Sequence, residues 1–116
     1  MVDALGERNG RKAQRLLHQL LEVDDPLRLF GMVVRQFRLL LLTRELLDSG
    51  HREHEIASVL KSPPFVVGKL VGQVRNFSQA QLEIIYHKLL EMDEAIKTGK
   101  IDGDVSLDTF VAALTD

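Results

Sequence analysis

The chain has 116 residues, 45% of them apolar, with 15 Lys+Arg against 17 Asp+Glu and no cysteine. This length suits a single domain with one core, and a net charge of −2 argues against a general polyanion binder. Without cysteine, disulfide scaffolds, thiolate zinc sites and cysteine nucleophiles are excluded together. The longest apolar run is Leu39, Leu40, Leu41 and Leu42, far short of the roughly 20 residues that span a bilayer. No leader pattern opens the chain, so a cytoplasmic protein without membrane contact is expected. Charge is uneven along the chain. Residues 1–77 carry 12 basic and 9 acidic groups, while residues 78–116 carry 3 and 8. Such asymmetry bears on association with a partner and not on fold.

Apolar residues recur at steps of three and four and nowhere at a sustained period of two, so every element is expected to be a helix. Residues 10–22 place Ala13, Leu16, Leu17, Leu20 and Leu21 on one side. Asp25 followed by Pro26 reads as an N-cap with proline at the first helical position. From there Leu27, Phe30, Val34, Phe37, Leu41 and Leu47 form a stripe. Met32, Val33, Leu39, Leu40, Leu42 and Leu46 widen it over much of the circumference, until Ser49 and Gly50 end it. A helix apolar over most of its girth is packed on several sides, so this one should be central.

Residues 53–61 present Ile56, Ala57 and Leu60, and residues 64–75, after two prolines, carry Phe65, Val67, Leu70, Val71 and Val74. The pair has the outline of a helix-turn-helix, but a recognition helix needs polar or basic side chains early on its exposed face. After Pro64 come Phe65, Val66, Val67 and Gly68, with Lys69, Gln73 and Arg75 only later. DNA binding through Lys69 and Arg75 is therefore the alternative reading. Gly68 and Gly72, four apart, each cost about 1 kcal/mol against alanine in a helix. Either a neighbouring helix approaches closely there, or the helix is simply a poor one held by its surroundings.

Ser78 with Gln81 forms a capping box, and Leu82, Ile85, Leu89, Met92 and Ile96 follow at helical spacing. Asp93 and Lys97 make an i, i+4 pair, and Gly99 suits the position after a helix ending near Thr98. A polar connection over residues 99–104 leads to a last helix from Ser106, with Leu107, Phe110, Val111 and Leu114. No repeat or linker divides the chain. The expected architecture is one all-α domain over residues 1–116, a compact bundle of about five to six helices.

Chemistry is sparse. His51 and His54 are three apart and not in the i, i+4 metal arrangement, and Glu83 with His87 has no second Glu-x-x-His. Glu91, Asp93 and Glu94 alternate with apolar residues like a solvated helix face. No Gly-x-Ser-x-Gly elbow or phosphate loop is present. No catalytic residue, metal site or cofactor is expected.

One resemblance adds to this reading. Pro64-Phe65, Lys69, the run from Gln73 through Val74, Arg75, Asn76 and Phe77 to Ser78, and then Leu82 and Leu89, resemble the C-terminal domain of the bacterial DNA polymerase III delta subunit. Asp93, Lys97 and Gly99 look like that family's Asp-x-x-x-Lys-x-Gly element before its final helix. Leu16, Leu17, His18, Gln19, Leu20 and Leu21, with Pro26, Leu27, Gln36, Phe37 and Arg38, are also similar. The likeness covers about residues 3–114. Val74 departs from the more usual alanine, and Leu107-Asp108 from the common Leu-Glu.

The resemblance implies a non-catalytic collar domain of the clamp loader. Its partners would be the C-terminal domains of the gamma/tau and delta prime subunits. The sliding clamp and DNA would be reached only through the whole assembly, or through two further domains resembling AAA+ ATPases that precede it in the family. An assembly domain should expose apolar side chains to its partners. The candidate interface residues are Phe65, Lys69, Leu70, Arg75, Phe110 and Val111. A self-associating helical regulator is a further alternative.

Overall fold

The computed structural model describes residues 1–114, and among them every regular element is helical. The helices are α1 (Val2–Gly6), α2 (Gly10–Leu21), α3 (Pro26–Asp48), α4 (Glu53–Leu60), α5 (Pro64–Val74), α6 (Gln79–Lys97) and α7 (Gly103–Leu114). The five to six helices expected become seven because α1, five residues long, is too short to show a period. Tertiary contact holds it instead, with Ala4, Leu5 and Gly6 buried against α3 and α5.

The caps follow the sequence signals. Asp25 Oδ1 accepts from the Leu27 N–H at 2.9 Å, and Pro26 opens α3. Ser78 Oγ accepts from the Gln81 N–H at 3.1 Å while Gln81 Oε1 accepts from the Ser78 N–H at 2.9 Å, closing the capping box of α6. At its other end Lys97 Nζ lies 2.8 Å from Asp93 Oδ2, and Gly99 takes a φ of 76°. There the Lys100 N–H reaches back to the Ala95 carbonyl at 2.9 Å. The Asp-x-x-x-Lys-x-Gly element is thus a helix stop with an ion pair in its last turn. The last helix starts at Gly103, three residues before the expected Ser106. The Asp102 carbonyl already accepts the Ser106 N–H at 3.0 Å, and a Cβ on Gly103 would lie 3.1 Å from Pro26 Cβ. Glycine permits that close approach to the start of α3.

With 23 residues, α3 is about 34 Å long at 1.5 Å per residue and forms the axis of the bundle. It packs on α1, α4, α5, α6 and α7, whereas α2 sits between α1 and α7. Its innermost line is Leu29, Phe30, Val33, Phe37 and Leu40, all fully buried, while Leu27, Met32 and Leu42 remain exposed. The buried direction is rotated from the stripe read off the sequence because apolar residues surround most of this helix. Only the placement of α5, α6 and α7 selects which of them meet a neighbour. Phe37 lies at the centre, edge-to-face with Phe77 at 5.8 Å and with Phe110 at 5.9 Å, so one ring joins α3, the α5–α6 connection and α7. Each fully buried Phe or Leu contributes about 1.5–3 kcal/mol relative to exposure.

A smaller cluster of Ile56, Val67 and Val71 ties α4 and α5 to Leu46 and Leu47 at the end of α3. Lys61, at φ 52°, closes α4 with the Ser62 N–H bonded to the Ala57 carbonyl, and the two prolines then set α5 going. Both α6 and α7 lean on α3, yet they make little contact with each other.

Candidate interaction surfaces

The six candidate interface residues divide by burial. Phe65 is 70% exposed on α5, and Lys69 and Arg75 are exposed with it. Leu70, Phe110 and Val111 are in the core, at 2%, 7% and 0% exposure. The inward three lie where α5 and α7 face α3, a direction that helical spacing alone does not distinguish from an outward one. A concave region lies beside each of these helices, one at α5 and one at α7.

Beside α5, the short α1 docks through a polar seam. Gln36 Nε2 donates to Gln73 Oε1 at 2.6 Å, both side chains being buried, and Gln73 Nε2 donates to Asp3 Oδ1 at 3.1 Å. Lys69 Nζ stands 3.4 Å from Asp3 Oδ2. Burial pushes the Asp3 carboxyl up, but hydrogen bonds from Gln73 and Lys69 and the lysine charge outweigh it, holding the group below its ordinary value of 3.8. Asn76 Nδ2 donates to the Gly6 carbonyl at 2.9 Å. Arg8, itself at φ 57°, lays its guanidinium 4.9 Å from the centre of the Phe77 ring and donates to the Asn76 carbonyl at 3.1 Å. Next to this seam lies a hollow of about 320 Å3 lined by Glu7, Gly68, Gly72 and their neighbours. A Cβ on Gly68 or Gly72 would meet nothing within 4 Å. No helix among the described residues makes the close approach that those glycines permit.

The helix-turn-helix outline is present as α4, the residues 61–63 and α5. However, α1 covers one side of α5, and Lys69 is engaged with Asp3. Beside the other end of the bundle, α6 and α7 flank an apolar trough of about 490 Å3, lined by Ile84, Met92, Ile101, Val105 and Phe110, with Lys88 among them. Ile84, Ile101 and Val105 are 69%, 42% and 60% exposed. Helical spacing does not single out Ile84 and Val105 because they fall off the core stripe, and Ile101 lies in the connection between α6 and α7. That offset is itself the signal that would have found the first two, since it leaves large apolar residues on a helix face with no assigned neighbour.

The histidines are dispersed. Nδ1 of His51 lies 3.2 Å from the Leu46 carbonyl at the end of α3, while His54 and His87 are exposed. His18 Nε2 stands 2.7 Å from Asp108 Oδ1, linking α2 to α7. Glu91 and Glu94 are exposed, and Asp93 is paired with Lys97. Among the described residues no group of three or more such side chains is placed to hold a metal ion, and no helix is long and apolar enough to cross a membrane.

Residues 1–114 match the family described as DNA polymerase III delta subunit, C-terminal domain. DNA polymerase III subunit delta of Bacillus subtilis (strain 168) is 31% identical over 115 residues, which is 98% of this chain and 33% of that protein. The solved structure of the Bacillus subtilis DNA clamp loader delta protein superposes with a TM-score of 0.89 at 31% identity, covering 98% of this chain and 34% of the other. This chain spans about a third of the length of both. Fold, length of match and identity together show that the chain belongs to the family of C-terminal domains of the DNA polymerase III delta subunit.

Proposed function

We propose that this chain is one helical domain of a DNA polymerase III delta subunit, the collar domain that holds the clamp-loader complex together while the sliding clamp is loaded during DNA replication. The superposition at a TM-score of 0.89 over nearly the whole chain carries this reading. The exposed apolar trough between α6 and α7 supports it, because a helical domain that works by being covered must leave such surface open. In this reading the domain is not an enzyme and acts in the cytoplasm. Its partners are the C-terminal domains of the gamma/tau and delta prime subunits. DNA and the sliding clamp are reached through the assembled loader or through other parts of the delta subunit.

The test is light scattering after size exclusion, on the chain alone and mixed with the gamma/tau and delta prime subunits. The expected outcome is a monomer alone and a stoichiometric complex on mixing, with affinity that changes little between low and moderate salt. Steep weakening with salt, together with binding to duplex DNA that is lost in Lys69→Ala and Arg75→Ala, would point to the nucleic-acid reading instead.

A further inference from the structure

The trough lies between α6 and α7, which both rest on α3 and make little contact with each other. Its lips are apolar and open to water, with Ile84 on one side and Ile101 and Val105 on the other, while the nearly buried Phe110 lies beneath. At 12 residues, α7 gives the trough a length of about 18 Å, room for some three turns of a docked helix anchored at i, i+3 or i+4, and i+7.

One cation stands in this apolar wall. Lys88 lines the trough, is exposed, and has no ion-pair partner among the described residues. Its neighbours at i−4, i−3 and i+4 are Ile84, Ile85 and Met92. By contrast Lys97, further along the same helix, is already paired with Asp93 at 2.8 Å. A surface that covered Lys88 with apolar groups alone would take an ammonium out of water with nothing to meet it, which is strongly unfavourable. The charge therefore selects among possible occupants.

We propose that the α6–α7 trough receives an amphipathic helix from another component of the clamp loader, whose apolar ridge carries one carboxylate that pairs with Lys88. The proposal rests on the assembly reading above and names the surface that performs it. The apolar anchors supply the attraction, and the carboxylate sets the register and rejects helices without it.

The experiment measures binding of this chain and its variants to the gamma/tau and delta prime subunits by calorimetry, with circular dichroism and thermal melting confirming the fold of each variant. Val105→Asp and Ile84→Glu should each weaken binding by about tenfold or more, because they place a charge where an apolar anchor docks. The second also offers Lys88 a partner one turn away on its own helix. Lys88→Glu should weaken binding by about tenfold and Lys88→Arg should bind like the wild type, since the charge is what the partner carboxylate reads. All three positions are exposed, so melting temperatures should stay close to that of the wild type.

If the wild-type chain binds and the Ile84 and Val105 variants bind equally well, the trough is not the contact surface, while the assembly reading stands. If Lys88→Glu binds like the wild type, the carboxylate pairing is overturned. If the chain instead self-associates and Ile84→Glu abolishes that association, the occupant is a second copy and the proposal falls. If the wild type binds neither subunit, the assembly reading itself fails.

Discussion

Between α1 and α5 the polar groups that turn inward find partners within the chain, whereas between α6 and α7 apolar side chains turn outward and find none. The Gln36–Gln73–Asp3 chain of hydrogen bonds at 2.6 and 3.1 Å completes the first region with groups from three helices. In the second, Ile84, Ile101 and Val105 stand over a trough between α6 and α7, which both rest on α3. Hydrogen bonds have fixed valence, so a satisfied network has little left to offer another molecule. Apolar surface has no such limit. It retains about 25 cal/mol for every square ångström still in contact with water, released only when something covers it. The seam is thus finished by folding, whereas the trough keeps its apolar lips open to water and, on the proposal above, would be finished only by a docked partner.

Phe110 breaks this contrast most sharply, because it belongs to the trough floor and to the core at once. Its ring is edge-to-face with Phe37, and Phe110→Ala should cost about 3–5 kcal/mol in urea unfolding. Val105→Asp, on the lip just over a turn earlier, should stay within about 0.5 kcal/mol of the wild type. Similar losses for the two would mean that the lip is as much core as the floor.

Gly6 gives the next largest effect and probes the seam. A Cβ there would collide with the Gln73 side chain, lying 3.0 Å from its Cγ, and Gln73 is tied on both sides by its hydrogen bonds. Gly6→Ala should therefore destabilise by about 1–3 kcal/mol in the same measurement. A neutral substitution would show that α1 is free to shift away from α5.

Gly68 and Gly72 predict the opposite sign. Each lies inside α5 with open space where a Cβ would go, so Gly68→Ala and Gly72→Ala should each stabilise the chain by about 0.5–1 kcal/mol. Thermal melting reads this directly. Of the two explanations that their spacing left open, close approach by a helix of this chain is not realised among the described residues.

How much of this was legible beforehand depended on whether local chemistry or tertiary placement decided the outcome. Asp25-Pro26, the Ser78–Gln81 box and Asp93 with Lys97 and Gly99 are completed within a few residues, and the sequence places each correctly. Helix α1 was invisible because it is held by packing on α2, α3 and α5, not by its own five residues. On α5 and α7 the spacing identified apolar residues but not their direction. Leu70, Phe110 and Val111 therefore read like Phe65, although only Phe65 faces water. The trough is hidden in the sequence for the same reason in reverse. Ile84 and Val105 lie off the core stripe, and only the separation of α6 from α7 turns that offset into a surface.

The smallest expected effect concerns pH and returns to the seam. Asp3 is held below its ordinary carboxylate value by Gln73 and Lys69 despite the opposing effect of burial. A carboxyl lowered in the folded state releases its proton more readily there than in the unfolded chain. Its contribution is therefore fully present above the unfolded value and is lost as pH falls through the folded one. Asp3→Asn removes the charge while keeping an oxygen for the Gln73 amide to donate to. Because the Asp3 and Lys69 side chains are both about half exposed, the wild type should exceed this variant by less than about 1 kcal/mol at neutral pH. The gap should close on acidification below the ordinary carboxylate range, and added salt should narrow it at neutral pH. A gap that persists in acid would mean that the carboxylate charge is not what Asp3 contributes. The seam would then be held by the neutral hydrogen bonds of Gln36, Gln73 and Asn76, and its docking of α1 would be indifferent to both pH and salt.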